Sequence, residues 1–471
     1  MGKERFAGDT TMRYIDFLEQ KKFTVKPSGI DVENIHLLLF DFQRDLVKWA
    51  LKKGKAALFT MTGTGKTLMQ CEWARHVSKF GDVLILAPLA VSRQTVKEAR
   101  KISMDITLCR SQQDVKPGVN ITNYEMLHKF EPEKFAGIVL DESSILKSYD
   151  GKTRTQIIDS FIATPFKLAC TATPAPNDFM ELGNHAEFLG VMSRAEMLSM
   201  FFVHDSGDTQ KWRLKGHAES KFWEWVASWA SVLSRPSDLG YDDGAFNLPP
   251  LRVHEIVVPA EEPIEGMLFA VEATTLQERQ SARRTSTERR VEKCAELVNG
   301  SDKPFLVWCG LNAESEALKK SINGAVEVKG SDSSEHKETA LMGFSEGDIS
   351  TLVTKPSIAG FGLNWQHCNQ MAFVGLSDSF EQYFQAVRRC WRFGQTEPVD
   401  VYVIIAETEG AVVKNIKRKE EDAQKMLDAM VGHTKEITKK NIKSTSRDIT
   451  EYEAGEPMEI PIWLGGERIA S

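Results

Sequence analysis

KAALFTMTGTGKT, residues 55–67, joins a short apolar run to a turn rich in glycine and threonine. The run 56–59 has the length and composition of a buried strand. Residues 68–80, which follow the turn, have the apolar spacing of a helix. Strand, glycine turn and helix in this order form the context that a phosphate-binding loop requires.

The turn itself supplies the groups that hold a polyphosphate, although Thr60 stands where the full motif has its first glycine. Glycines let backbone N–H groups curl around phosphate oxygens, and the N-terminus of the following helix adds a partial positive charge. Lys66 would reach the outer phosphates, and the Thr67 hydroxyl would ligate Mg²⁺. The other loop residues that we expect to contact a nucleotide are Thr62, Gly63, Thr64 and Gly65.

Length and composition indicate a globular protein with more than one domain. The 471 residues are too many for one ordinary core, so two or three domains are expected. A composition of 42% hydrophobic and 27% charged residues is typical of soluble domains. No apolar run approaches the ~20 residues of a membrane span, and the start MGKERFAGDT lacks the features of a signal peptide. We therefore expect no membrane contact.

Cysteine usage and charge exclude some functions and leave others open. Seven cysteines without a C-x-x-C pair fit a reducing compartment and argue against a disulfide framework or a zinc module. His367, Cys368 and Cys390 could be imagined as metal ligands, but buried thiols beside a structural histidine are the simpler interpretation. The net charge of −7 argues against a general polyanion-coating protein. The basic stretches 279–293 and 414–447 leave a nucleic-acid groove open, although each has the composition of a solvated helix face.

A second chemical signature lies at the end of another apolar strand. Residues 138–142 read IVLDE, so two carboxylates follow the run directly. The carboxyl ends of parallel strands are where such a sheet places its ligands. Asp141 can hold Mg²⁺ directly or through water, and Glu142 can orient and deprotonate an attacking water. Together with the earlier GKT loop, this pair predicts hydrolysis of a nucleoside triphosphate.

With these residues in view, the chain resembles the SWI/SNF-like branch of the superfamily 2 helicase and translocase ATPases. The resemblance extends over about residues 37–405. Gln43 stands in the place of that family's adenine-reading glutamine, whose amide can donate and accept at once. TATP at 171–174 resembles the segment that couples the two lobes, and NDFMEL at 177–182 is similar to a continuation typical of this branch.

The second half of the resemblance lies far from the phosphate loop. SIAGFGLN at 357–364 and QAVRRCWRFGQ at 385–395 resemble the family's segments V and VI. The resemblance implies nucleotide contacts for three of their residues, Gly360, Gly362 and Gln385. Arg389 and Arg392 are three residues apart, one helical face, so both could point across a cleft. A guanidinium there would neutralise charge on the transferring phosphoryl group, an effect worth about 10³–10⁵ in rate in related enzymes.

Other segments resemble the family's contacts with nucleic acid, and one departs from its pattern. Residues 86–94 and 121–127 are similar to the segments that touch the strand backbone. Ser143-Ser144 replaces the alanine and histidine that usually follow the acidic pair. The lost histidine leaves open how hydrolysis is linked to movement, but not whether hydrolysis occurs.

The fold class that follows is α/β, with two RecA-like parallel-sheet lobes, a helical insertion and a C-terminal helical brace or tail. The helical spacing and tryptophans of residues 185–244 predict the insertion, and a tryptophan cluster is more often core than a base-stacking platform. The C-terminal part is expected to be a basic helix through about Met430, followed by a polar tail. The predicted parts are a lead-in (1–36), lobe one (37–250), lobe two (251–410) and the brace or tail (411–471).

We therefore expect an ATP-dependent motor with ATP and Mg²⁺ in the cleft between its lobes. The resemblance implies movement on double-stranded DNA, in a compact motor of bacterial or bacteriophage type in the cytoplasm. The alternatives are an RNA- or single-strand-dependent helicase of the same fold, or an ATP-gated nucleic-acid clamp with little turnover. Protein partners in replication, repair or recombination, strand separation, directionality and oligomeric state are open.

Overall fold

A computed structural model of the chain shows two parallel α/β sheets. It describes residues 25–88, 91–147, 151–175, 178–205, 208–259, 286–359 and 363–445, and every structural statement below concerns these ranges. The predicted α/β class with two parallel-sheet lobes is confirmed. Within the described ranges, no helix combines the length and the apolar character needed to cross a membrane.

Some of the predictions fall on other parts of the chain. The predicted segments that lie wholly or partly outside the described residues are the lead-in (1–24), the first basic stretch (up to 285), Asn177, Gly360, Gly362, part of 86–94 and the tail from 446.

The sheet of lobe one has seven parallel strands. They are β1 (Lys55–Thr60), β2 (Val83–Ala87), β3 (Thr107–Leu108), β4 (Val119–Asn123), β5 (Gly137–Asp141), β6 (Phe166–Thr171) and β9 (Ala230–Leu233). Their order is β3-β4-β2-β5-β6-β1-β9. The helices that pack on it include α1 (Asp41–Lys53), α2 (Lys66–Val77), α3 (Ser92–Arg100) and α4 (Lys152–Ser160). β2 and β5 are buried on both faces and read as continuous apolar runs, whereas the equally buried β4 has the sequence VNITN, with two asparagines and a threonine.

The order of these strands positions the site. β6 lies between β1 and β5, with Phe59 paired to Thr171 on one side and Asp141 paired to Cys170 on the other. The carboxyl ends of all three strands therefore meet at one edge of the sheet. The phosphate loop follows β1, and Glu142 follows β5, so both predicted signatures lie at that edge.

Residues 185–244 contain strands as well as the predicted helices. The helices of this region are α5 (Leu182–Leu189), α6 (Arg194–Phe201) and α7 (Glu219–Trp229), and an antiparallel hairpin joins β7 (Phe202–Asp205) to β8 (Asp208–Leu214). β9 follows α7 directly and pairs with β1, so this region completes the sheet of lobe one. A four-residue apolar run such as ASVL cannot be told from part of a buried helix by its pattern alone. Trp223, Trp225 and Trp229 are core residues.

Lobe two is built on six parallel strands in the order β10-β15-β14-β11-β13-β12. The strands are β10 (Leu251–Val258), β11 (Phe305–Cys309), β12 (Val326–Val328), β13 (Thr351–Thr354), β14 (Gln370–Val374) and β15 (Val399–Ala406). The helices are α8 (Thr287–Asn299), α9 (Asn312–Ser321), α10 (Ser334–Glu346), α11 (Pro356–Ala359) and α12 (Phe380–Val387).

The described end of the first basic stretch belongs partly to the interior of lobe two. Arg290 is fully buried, and its guanidinium contacts Glu314 at 2.8 Å and Glu409 at 3.4 Å. A buried charge requires such partners, because an unpaired ion in a dry interior is strongly destabilising. Arg290 therefore holds α8, α9 and the segment 407–409 after β15 together and is not part of a solvated face.

One helix, α13 (Gly410–Thr445), connects the two lobes over 36 residues. Its first turns place Val412 and Ile416 in the core of lobe two. Further along, Met430 packs into one core cluster of lobe one and Ile442 into another. At 1.5 Å per residue the helix is about 54 Å long, enough to reach from one lobe to the other. We call it the brace helix.

The brace helix does not end near Met430 as the sequence predicted. It continues to Thr445 because Thr434, Thr438 and Ile442, spaced four residues apart, extend one buried stripe along lobe one. The Thr434 hydroxyl donates to the Met430 carbonyl at 2.6 Å, which satisfies its polar group inside the helix. Threonine is not counted as apolar, so the pattern after Met430 resembled a polar tail.

Candidate active site

The phosphate loop bends sharply at two glycines. Gly63 and Gly65 have φ of 91° and 85°, in the left-handed region where only glycine is unstrained. A Cβ atom on Gly65 would lie 2.2 Å from Nε2 of Gln43, so a larger residue there would displace the Gln43 amide. The same Nε2 donates to the carbonyl of Thr64 at 2.7 Å. Gln43 therefore packs against the loop from behind.

Gln43 has a structural task beside the predicted adenine contact. Its Oε1 accepts from the N–H of Phe40 at 2.9 Å, and its Nε2 serves the loop. A carboxamide has two protons and two acceptor positions, so one of each stays available to an adenine edge. The two backbone bonds fix the amide orientation, which a base-reading role requires.

Thr60, in place of the first glycine of the motif, closes the loop with its side chain. The Thr64 hydroxyl lies 2.8 Å from the Thr60 hydroxyl and 2.8 Å from the Met61 carbonyl. Both threonines are buried. The departure from the motif therefore adds a side-chain link across the turn and does not disrupt it.

Lys66 and the loop form a cradle with the chemistry of a polyphosphate site. The Lys66 ammonium donates to the carbonyls of Thr60 at 2.8 Å and Met61 at 3.3 Å. Burial lowers the pKa of Lys66, and the nearby carboxylates Glu142 and Asp141 oppose that shift. The Thr62 hydroxyl is buried and has no hydrogen-bond partner among the described residues. A buried cation and an unpaired donor beside a glycine turn fit phosphate oxygens.

The acidic pair lies against the same loop, and neighbouring polar groups fix Asp141. Gln70 of α2 donates to its Oδ1 at 2.8 Å, and the Tyr124 hydroxyl donates to its backbone carbonyl at 2.6 Å. Burial raises the pKa of Asp141 and of Glu142, while the charge of Lys66 acts in the opposite direction on both. Neither residue was assigned to the site from the sequence: Gln70 stands in no motif, and Tyr124 belongs to the segment 121–127 that was assigned to nucleic-acid contact.

Glu142 has a strained backbone. Its φ of 55° is one of two positive values among the described residues other than glycine. Such a conformation costs about 1–3 kcal/mol and persists where the surrounding structure enforces it, often at a functional site. The Thr171 hydroxyl, at the end of β6, lies 3.5 Å from a Glu142 carboxylate oxygen.

A histidine from a distant helix contacts the residue after Glu142. Nε2 of His185, on α5, lies 3.1 Å from the Ser143 hydroxyl, and both side chains are fully buried. The imidazole also meets Phe59 of β1 edge to face, with ring centroids 5.0 Å apart. Burial lowers the pKa of His185 to about 4. The histidine that usually follows the acidic pair closely is absent from the motif. The neutral imidazole of His185 nevertheless contacts Ser143, the residue directly after the pair.

This buried imidazole should make the stability of the protein depend on pH. Below pH 6.5 the unfolded chain protonates His185, whereas the folded chain resists protonation until about pH 4, so stability falls with falling pH in this window. The loss is up to about 3 kcal/mol, since one pKa unit corresponds to about 1.4 kcal/mol. We expect His185→Gln to flatten this slope when urea unfolding is compared at pH 7 and pH 5.

The matched control for this pH dependence is His128→Gln, which removes an exposed imidazole from the same lobe. That variant should keep the wild-type slope. An unchanged slope in His185→Gln would show that the buried ring is not the group responsible.

Arg389 and Arg392 of lobe two lie in different surroundings. Arg389 is only 1% exposed and is directed into its own lobe, where it donates to the Leu363 carbonyl at 3.1 Å. It also donates to the Gln385 carbonyl at 2.9 Å and to the Gln385 Oε1 at 3.1 Å. Arg392 is half-buried, and a Cβ on Gly63 would lie 3.8 Å from its own Cβ. Arg392 therefore reaches the phosphate loop.

The prediction that both arginines share one helical face is wrong. α12 ends at Val387, so Arg389 and Arg392 lie outside a helix, and their spacing of three residues does not place them on one face. Burial lowers the pKa of Arg389 to about 9 and that of Arg392 to about 10. Arg392 Nη1 lies 3.3 Å from the Leu363 carbonyl, and its Nε has no hydrogen-bond partner among the described residues.

Two other candidates from the sequence lie in lobe two: Gln385, and the group of His367, Cys368 and Cys390, for which buried thiols beside a structural histidine were the expected interpretation. Gln385 is buried and holds Arg389, while the predicted nucleotide contact of Gln385 stays a prediction. The ring of His367 packs edge to face on Phe344, at 5.1 Å between centroids. Across the described ranges, no group of three or more histidine, cysteine, aspartate or glutamate side chains is arranged to hold a metal ion.

Two protein families match the chain by sequence. "Type III restriction enzyme, res subunit" matches residues 32–176, and "Helicase conserved C-terminal domain" matches residues 289–394. Together they indicate a superfamily 2 helicase-like protein. The first match contains the phosphate loop and the acidic pair of this helicase-like chain, and the second contains Arg389 and Arg392.

Domains of these two kinds are typical of nucleic-acid-dependent ATPases. The helicase-like chain is an enzyme of that class, an ATP-dependent motor that binds nucleic acid. No curated protein matches it.

Proposed function

We propose that the chain hydrolyses ATP between its lobes (37–250 and 251–410) and thereby moves along double-stranded DNA. The observation that carries hydrolysis between the lobes is the close approach of Arg392 and Phe393 to Gly63, where an added Cβ atom would lie 3.8 Å from the Arg392 Cβ and 3.1 Å from the Phe393 nitrogen. A site with groups from both lobes is complete only when the cleft is closed. Binding and hydrolysis of ATP would then alternately close and open the cleft, as in other enzymes with mobile domains.

In this proposal each predicted residue has one role. The residues assigned to binding of the phosphates are Thr62, Gly63, Thr64, Gly65 and Lys66, with Gly360 and Gly362 approaching from lobe two. Gln43 reads the base, Thr67 and Asp141 hold Mg²⁺, which would neutralise phosphate charge, and Glu142 is the general base. Arg389 and Arg392 stabilise charge on the transferring phosphoryl group, and Gln385, whose side chain also holds Arg389, contacts the nucleotide.

The basic residues along the seam between the lobes support a nucleic-acid track. Arg93 of α3 forms an ion pair with Glu338 of α10, and Lys97 lies 3.9 Å from Glu346 on the same helix. These pairs are largely exposed, so each contributes little to stability and phosphates could displace the carboxylates. Arg93 also belongs to the segment 86–94 whose sequence resembles a backbone-contacting segment.

The choice of double-stranded DNA rests on the SWI/SNF-like resemblance at 177–182 and 393–395. We expect duplex DNA to raise the rate of phosphate release more than single-stranded DNA or RNA of equal length does. Because phosphate contacts release counterions, the DNA concentration for half-maximal stimulation should rise steeply with salt. Steady-state ATPase assays at several salt concentrations measure both effects, and triplex displacement then tests movement.

Stimulation by RNA or single strands alone would support a helicase of that substrate class in place of a duplex translocase. Binding of ATP and DNA without turnover would indicate an ATP-gated clamp. Either result would overturn the proposal as stated.

A further inference from the structure

Phe393, the residue after Arg392, lies among aromatic rings that belong to the other side of the cleft. Its ring centroid is 4.8 Å from that of Phe246 and 6.0 Å from that of Phe40. Phe246 and Phe40 contact each other edge to face at 5.0 Å, and Phe42 meets Phe246 at 5.2 Å. Phe393 is therefore the lobe-two member of an aromatic cluster whose other members, Phe40, Phe42 and Phe246, belong to lobe one, with Phe42 in its core.

The backbone of Phe393 touches the phosphate loop at the same time. A Cβ placed on Gly63 would lie 3.1 Å from the backbone nitrogen of Phe393, so a side chain there would press on the lobe-two backbone. The carbonyl of Phe393 accepts a hydrogen bond from Nε2 of Gln366 at 3.1 Å, which fixes the residue to lobe two. The backbone of Phe393 is thus attached to lobe two, while its ring packs against lobe one.

A second route leads from the same ring to the loop. Phe40 contacts the Phe393 ring, and its backbone N–H donates to Gln43, whose amide in turn donates to the Thr64 carbonyl. Phe40 keeps 45% of its surface exposed even in this arrangement, so without Phe393 the cluster would present still more apolar surface to water. Burial of that surface favours the closed cleft.

We propose that Phe393 is a positioning residue that seats Arg392 against the phosphate loop when its ring enters the Phe40–Phe246 pair. Phe393 is adjacent to Arg392, so the depth to which the ring enters sets the position of the guanidinium. This inference rests on the proposed role of Arg392 in hydrolysis. It gives Phe393, the residue before Gly394 and Gln395, the role of positioning Arg392 for catalysis.

The test compares Phe393→Ala, Phe393→Leu and Phe246→Ala with wild type in ATPase assays without nucleic acid. Phe393→Ala should lower kcat about 10²-fold, the effect of a misplacement of about 1 Å, while the dissociation constant of a fluorescent ATP analogue stays within about threefold. Phe393→Leu should recover part of kcat, because it restores apolar bulk without the ring. Thermal unfolding monitors the fold of each variant.

A double variant distinguishes positioning from general damage to the fold. If Phe393 acts through Arg392, Phe393→Ala should cause no further loss of kcat in an Arg392→Ala background. Phe80→Ala is the matched control, because it removes a 59% exposed ring of lobe one that packs on Phe166 away from the cleft.

Wild-type kcat in Phe393→Ala, or an equal loss of kcat with and without Arg392, would overturn the inference. A wild-type protein that hydrolyses ATP but is not stimulated by nucleic acid would instead refute the proposed function. The two failures are therefore distinguishable.

Discussion

Glu142→Gln is expected to stop ATP hydrolysis while ATP still binds. The substitution keeps the size of the side chain and its reach at the end of β5, but it removes the carboxylate that would take a proton from the attacking water. General-base catalysis of this kind contributes about 10²–10⁴-fold to the reaction rate, so we expect kcat to fall by a factor of about 10² or more. Phosphate release at saturating ATP measures the loss, and a fluorescent ATP analogue measures binding.

The position of Glu142 is the reason for expecting so large an effect. Its backbone is held at a φ of 55°, and burial raises the pKa of its carboxyl group. A raised pKa brings a carboxylate closer to the working pH, where a general base is most effective. Glu131→Gln is the matched control, since it removes an exposed carboxylate of the same lobe that pairs with Lys134. Undiminished turnover in Glu142→Gln would refute the assigned role.

Arg392→Ala is expected to reduce kcat by about 10³-fold or more, the usual contribution of an arginine that neutralises a transferring phosphoryl group. The affinity for ATP and the melting temperature should change little, because Arg392 is half-buried and its Nη1 lies 3.3 Å from a single backbone carbonyl. ATPase assays at saturating ATP, nucleotide titration and thermal unfolding give the three quantities.

Arg389→Ala should behave differently from Arg392→Ala. Removal of the Arg389 guanidinium leaves the buried Gln385 carbonyl without this donor, at a cost of about 1–3 kcal/mol, while the Leu363 carbonyl keeps only its bond from Arg392 Nη1. A clear fall in melting temperature is therefore expected for Arg389→Ala. Arg418→Ala, on an exposed part of the brace helix, is the control for loss of a guanidinium.

Normal turnover at saturating ATP in Arg392→Ala would contradict the proposed role of Arg392 in phosphoryl transfer.

The parts of the site that the sequence predicted are contiguous along the chain. Residues 60–67 form the phosphate loop by local backbone chemistry, so their order alone predicts the turn and the helix that follows. The acidic pair could be predicted just as directly, because it lies at the end of a buried strand. The two-lobe α/β fold and the ATPase class, both confirmed, follow from the order of such segments.

The parts that the sequence did not predict depend on contacts between distant elements. His185 reaches Ser143 only because α5 packs against β6 and the segment 143–147, and Gln70 reaches Asp141 only because α2 packs on β5. α12 ends before Arg389, so Arg389 and Arg392 do not share a helical face, although both guanidinium groups donate to the Leu363 carbonyl. Helix ends are poorly specified by sequence. The prediction that the brace helix ends near Met430 was wrong, because threonine is counted as polar and its burial in the core could not be recognised from the sequence.

The brace helix also changes how lobe two is tethered. It and the segment 234–250 are two covalent connections between the lobes. They lie together at lobe one, where Lys439 approaches Gly240, but they attach to lobe two at opposite ends of the parallel strands β10 and β15. The segment enters β10 at Leu251, and the brace helix follows β15 beyond Ala406. The fold thus tethers lobe two at two separate points and not at a single hinge.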